Sequence, residues 1–259
     1  MQKQEIHGIV AELDAASGIA TITFNRAEAA NAINTAMWEN LPRLINKLLE
    51  DDARLLIFTG KGKHFAAGAD FEDLRQITDY ASAARFWEAI ATALETIADL
   101  EIPTIAMING PCLGGGCLLA NACDLRFAAL HGASFGIPIA RLGIILDDGN
   151  IQRLVNLIGQ AKAKEMLFSA ATISSTTANT IGLINQAIED EKLTSFTLDF
   201  AKTIMANSSL TVAATKASIA RLNSHLHKAD AVNQAGHEHE RAIVGYLSSD
   251  FRQRRDHEG

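Results

Sequence analysis

Cysteine, proline and the larger aromatics are scarce in this chain of 259 residues, which has three Cys, four Pro, two Trp and two Tyr. All three cysteines, Cys112, Cys117 and Cys123, fall in one short segment. An odd number without CxxC spacing excludes a disulfide framework and the usual zinc or redox motifs, so they read as small core residues in a reducing compartment. An excess of positive charge is also missing: 23 Lys and Arg stand against 30 Asp and Glu, for a net charge of −7. With no basic stripe, neither nucleic acid nor membrane is expected as a partner. No uncharged run is long enough to span a bilayer, and "MQKQEIHGIVAELD" carries neither a signal-peptide nor a transit pattern, so a cytoplasmic protein is expected. Linkers rich in Pro, Ser or Gly and low-complexity segments are absent too.

What remains is a chain that is 48% hydrophobic, ample for one buried core. "GIVAELD" (8–14) and "GIATITFN" (18–25) alternate and carry β-branched residues, as an opening hairpin would. From Thr35 to Glu50 apolar residues recur at helical spacing, and Pro42 is expected to kink or delay that helix. "RLLIFTG" (54–60) and "PTIAMING" (103–110) read as strands flanking a helix over 80–100, and "CDLRFAAL" (123–130) and "ASFGIP" (133–138) as two more. Strands alternating with helices imply crossover connections and parallel pairing. Beyond Asn150 the pattern is almost wholly helical.

The places that can carry chemistry are two glycine-rich turns, "HFAAGADFEDL" (64–74) and "NGPCLGGGCLLANACDL" (109–125), each between a strand and a helical pattern. Neither fits a phosphate-binding GxxxxGK[ST] or GxGxxG loop. Two strand-to-helix turns can donate one N–H each to a single oxygen, forming an oxyanion hole; small residues there equally serve close helix–sheet packing. A third place is "GIILDDGNIQRLV" (143–155), where Asp147 and Asp148 precede a helical pattern as a cap or as working acids.

The two turns, their order and separation, and the later "ISSTTANTIGLINQAI" (173–188) together resemble the crotonase superfamily, the enoyl-CoA hydratase/isomerase family, over nearly the whole chain. The resemblance implies an α/β fold, the crotonase (ClpP-like) spiral of ββα units. A core over residues 1–190 would be followed by a helical region over 191–259 that builds trimers and covers the active site. It implies an acyl-CoA thioester as substrate, with coenzyme A entering only as part of it, no required cofactor or metal, and a homotrimer or a hexamer made as a dimer of trimers.

By motif matching, the oxyanion-hole N–H groups belong to Ala69 and Gly115, and Ala67 is a further coenzyme A contact. The family's hydratases carry two glutamates, at positions that here hold Leu118 and Ile139. Neither side chain can move a proton, so Leu118, Ile139 and Leu146 are expected to wall the acyl pocket. Some family members use an aspartate at the position of Asp147, which makes Asp147 the best-placed acid; Asp148 is the other candidate, and the more expected cap. Three functions stay open: enolate chemistry of the hydratase or isomerase type, hydrolysis or decarboxylation of an acyl-CoA, and binding without catalysis.

Other residues weigh toward structure. His64 is expected to solvate a loop, Arg141 to pair with Asp147 or Asp148, and Asp124 to brace the scaffold. Phe86 and Trp87 fit core or pocket wall. The histidines of "HLH" (225–227) and "HEH" (237–239) point to different faces of a helix and are expected to be surface residues. Arg252, Arg254 and Arg255 are candidates to pair with the coenzyme A phosphates.

Overall fold

The chain enters its sheet one strand earlier than the opening hairpin. A computed structural model describes residues 2–225 and 235–258, and in it β1 (Gln2–Ile6) pairs antiparallel with β2 (Ile9–Asp14), which pairs with β3 (Ile19–Phe24). The sequence QKQEI hides β1 because an edge strand with one partner buries little and so needs no hydrophobic face.

Helix α1 (Thr35–Glu50) is capped by Asn34, whose side chain accepts from the Met37 N–H at 2.9 Å. It runs through Pro42, which neither delays nor divides it. An interior proline costs about 3 kcal/mol. Met37, Trp38, Leu41, Leu44, Ile45 and Leu48 are all buried on its inner stripe, and full burial is worth about 1.5–3 kcal/mol for each such side chain, so packing wins.

Next come β4 (Leu55–Gly60), α2 (Phe71–Arg75), α3 (Tyr80–Ala98), β5 (Thr104–Ile108), β6 (Cys112–Leu113), α4 (Gly115–Ala122) and β7 (Leu125–Ala129). β8 (Ser134–Gly136), α5 (Ile139–Leu142) and α6 (Asp148–Ser169) follow, with the helical dihedrals of α6 interrupted at Gly159. β3, β4, β5 and β7 are parallel neighbours, as the strand–helix alternation requires.

Beyond Asn150, where the pattern is almost wholly helical, two short strands intervene around a helix: β9 (Ile173–Ser174), α7 (Ser175–Thr180) and β10 (Gln186–Ile188). β10 adds to β7 in parallel and closes a seven-stranded sheet of order β1-β2-β3-β4-β5-β7-β10. With two and three residues, β9 and β10 are too short for a period of two to register. β6, β8 and β9 form a second, three-stranded sheet.

After β10 the described elements are helical: α8 (Leu193–Met205), α9 (Ser209–His225), α10 (Ala235–Gly245) and α11 (Ser249–Glu258). α8 packs on β5 and β7, α10 on α3, and α11 on α2 and α5. Lys216 of α9 donates to the Asp124 carboxylate at 2.8 Å, and Asp124 also takes the Thr104 N–H and hydroxyl, at 2.8 and 2.9 Å, so this acid braces the scaffold as expected.

Candidate active site

The two glycine-rich turns meet. The Phe65 and Ala66 N–H groups donate to the Pro111 carbonyl and the Leu113 N–H to that of Ala66, which pins the first turn against β6. On its other side Ile33 forms an isolated parallel bridge with Ala69. In that bridge Ile33 N–H donates to Gly68 O at 2.8 Å and Asp70 N–H to Ile33 O at 3.3 Å. A parallel bridge uses the groups on either side of its central residue, so the Ala69 N–H faces away from Ile33. Gly115 opens α4, where the first N–H groups have no partner within the helix.

Between these two N–H groups lie Gly68, with φ +104°, and Gly114, with φ +49°. A Cβ on Gly68 would sit 3.1 Å from the Leu113 carbonyl oxygen and 3.5 Å from the Gly115 nitrogen, so only glycine lets the turns come this close. Ala69 and Gly115 are both half-buried. Two backbone donors so placed can hold a developing oxyanion. Ala67 spends its N–H on the Ala30 carbonyl at 3.1 Å, which leaves its own carbonyl for a ligand's donor. His64, half-buried on the same turn, has its backbone carbonyl held by the Asn31 amide at 2.7 Å.

The two adjacent acids divide differently from expectation. Asp147, not Asp148, is the cap of α6: its Oδ1 accepts from the Asn150 N–H at 2.9 Å, and its Oδ2 from Asn150 Nδ2 at 2.7 Å. Extended backbone at Asp147, ψ 158°, turns its carboxylate toward the free N–H groups, whereas Asp148 is already the first helical residue and points to solvent. A cap and an acid are not exclusive, since each carboxylate oxygen has two lone pairs. Asn150, buried and itself contacted by Arg153 at 3.3 Å, is the orienting residue that sequence reasoning missed; the i, i+3 spacing behind a capping Asp could have signalled it. Arg141 donates to the Ala170 carbonyl at 3.2 Å.

Leu118 belongs to the main core, against which Ile139 and Leu146 pack. A second apolar cluster gathers Leu74, Ile77, Phe86, Ile243, Tyr246 and Phe251, with Ala69, Trp87 and Ile144 against it. It joins the first glycine-rich turn to α3 and to the C-terminal helices. Gly143 abuts α11 so closely that a Cβ there would lie 2.7 Å from Asp250 Oδ2. Arg255 donates to the Leu74 and Ile77 carbonyls at 3.1 and 3.4 Å and so staples α11 over α2.

Arg254 pairs with Asp250, and Arg252 donates to the Leu247 carbonyl, so all three of these arginines have partners within the chain. His227, together with the side chains of His225 and His237, lies outside the described residues; the His239 ring packs 4.5 Å from that of Trp87. Among the described residues no three His, Cys, Asp or Glu side chains gather as a metal set would. The three cysteines are free and buried.

Comparison with known proteins gives the site its setting. The family model described as enoyl-CoA hydratase/isomerase matches residues 14–243. A short-chain-enoyl-CoA hydratase of Clostridium acetobutylicum is 34% identical over 220 residues, which cover 84% of this chain and 82% of that protein. A crotonyl-CoA hydratase of Syntrophomonas wolfei is 37% identical over 202 residues, covering 77% and 76%. Among solved structures, an enoyl-CoA hydratase/isomerase from Mycobacterium paratuberculosis superposes with a TM-score of 0.85 at 26% identity, over 98% of this chain and 99% of that one.

Proposed function

Since the chain belongs to the enoyl-CoA hydratase/isomerase family and has the crotonase fold, we propose that it binds an acyl-CoA thioester with the carbonyl oxygen between the Ala69 and Gly115 N–H groups. The observation that carries this reading is the contact of the two turns through Gly68 and Gly114. Electron density moved onto the thioester oxygen as an enolate forms is stabilised by those preorganised donors, each worth about 3–4 kcal/mol. Ala67 contributes a carbonyl to the coenzyme A moiety, and Leu118, Ile139 and Leu146 wall the acyl group.

With Leu118 and Ile139 unable to carry protons, Asp147 acts alone as acid and base, fixed by Asn150. In isomerisation it takes a proton from the α carbon, the electron pair moves to the thioester oxygen, and the enolate collapses as the proton returns at the γ carbon. In hydration it takes a proton from water as hydroxide adds to the β carbon, then delivers that proton to the α carbon. Asp148, exposed beside it, is the lesser candidate. The same two apolar residues favour a second reading, hydrolysis or decarboxylation of an acyl-CoA, or binding without turnover, because each of these dispenses with the pair of acids.

Incubation with a panel of CoA thioesters separates these by product: hydroxyacyl-CoA, shifted double bond, free coenzyme A or carbon dioxide. Enolate chemistry requires one of the first two, abolished in Asp147→Asn; full activity of Asp147→Asn overturns the assigned base.

Residues 191–259 serve as cover and oligomerisation region in this proposal. Leu210, Ile219 and Leu222 of α9 are 79%, 56% and 67% exposed, apolar surface that a homotrimer or a hexamer of two trimers would cover. None of the described helices is long and apolar enough to cross a membrane, and the cytoplasmic assignment is part of the same proposal.

A further inference from the structure

One short segment touches both proposed donors. Ile33 bridges Ala69, and further along the same segment Trp38 of α1 presses its ring against Gly115. A Cβ on Gly115 would lie 3.1 Å from Trp38 Cζ2 and 3.9 Å from Cη2, with the Gly68 carbonyl carbon also at 3.9 Å, so the tip of the indole reaches the place where the two turns meet. The segment is anchored outside that place. The Asn31 amide donates to the Lys61 and His64 carbonyls at 2.9 and 2.7 Å, and the Thr35 hydroxyl donates to Asp73 at 2.6 Å. Trp38 is fully buried, yet its indole Nε1–H has no hydrogen-bond partner among the described residues. Desolvating a donor without a replacement bond costs stability, and a phenylalanine would fill most of the same space without that cost. What phenylalanine lacks is reach: Cζ2 and Cη2 are far atoms of the six-membered ring, and they are the ones against Gly115.

We infer that Trp38 is a positioning residue for the oxyanion hole. With Ile33 holding Ala69 and the indole tip holding Gly115, residues 31–38 set the separation of the two N–H donors. The inference rests on the acyl-CoA reading and deepens it. Being fully buried, Trp38 meets no substrate atom and acts through Gly115 alone. The indole tip is what keeps the opening turn of α4 from sliding toward α1. Such control matters because donors work only when already aimed at the developing charge, and a misplacement of about 1 Å can cost about 100-fold in rate.

Infrared difference spectra of carbonyl-labelled butyryl-CoA bound to the full chain test this, with calorimetric affinities and thermal melts alongside. Trp38→Phe is expected to keep butyryl-CoA affinity within about fivefold of wild type while the carbonyl band moves back toward its value in water. Adding Gly115→Ala to Trp38→Phe puts a methyl group into the vacated space and is expected to return the band toward its wild-type position, a rescue that general loosening of the core does not give. Leu41→Ala, on the same buried stripe of α1, is expected to lower the melting temperature and leave the band in place. A wild-type band shift that persists unchanged in Trp38→Phe overturns the inference, as does a double variant without rescue or a Leu41→Ala protein whose band moves as far. A wild type that binds butyryl-CoA without any shift, or not at all, overturns instead the acyl-CoA reading beneath it.

Discussion

Replacing Gly115 by proline removes one N–H and little else. The first residue of a helix makes no N–H bond within it, and proline is at home there, so α4 loses no hydrogen bond. Crowding is the competing effect: a Cβ at this position would lie 3.1 Å from Trp38 Cζ2, and Trp38 is fully buried. Gly115→Ala carries the same Cβ and keeps the N–H, so it isolates the crowding. Loss of a single oxyanion donor costs about 2.7–4 kcal/mol, or roughly 100- to 1,000-fold in kcat. The assay follows the ultraviolet absorbance of crotonyl-CoA alongside thermal melts. Gly115→Ala is expected to melt lower but turn over within about tenfold of wild type, while Gly115→Pro loses the further 100- to 1,000-fold. Equal losses in the two variants would refute the donor role and leave only packing against Trp38.

Asp147→Asn preserves a capping residue but turns one acceptor toward Asn150 into a donor, so a stability loss of about 1 kcal/mol is expected by denaturation, with kcat down about 100- to 10,000-fold. Arg26 ties Asp70, next to Ala69, to the Ala32 carbonyl through contacts of 2.7 and 2.9 Å. Arg26→Ala should cost about 1.5–3 kcal/mol in stability and lower kcat more than it raises KM, since the turn bearing the Ala69 donor is loosened. Burial pushes the Cys123 thiol up to about 12. A raised folded pKa stabilises below the unfolded value and is lost as pH rises through the folded one. The difference in stability between wild type and Cys123→Ala should therefore shrink by about 2 kcal/mol between pH 8 and pH 10, read by urea denaturation at each pH.

Elements with a long period were legible. α1 and α3 begin at their expected residues because each buries an unbroken stripe, and β2 to β5 because alternation and glycine bound them. Short or edge elements left no period to read: β1 is polar, and β9 and β10 are held by a few ladder bonds. Asp147 and Asp148 could not be ranked as caps, since both types suit the position and only backbone dihedrals separate them. The glycine-rich turns were visible as motifs, but their contact depends on residues 46 positions apart meeting, as Gly68 and Gly114 do only in the fold.

The binding of the thioester oxygen by Ala69 and Gly115 is tested most directly by the carbonyl stretching frequency of an isotope-labelled acyl-CoA bound to the protein. Two backbone donors polarise the carbonyl, so the band should fall below its value in water and recover partway in Gly115→Pro. An unshifted band, or one equally shifted in wild type and Gly115→Pro, would contradict the oxyanion hole.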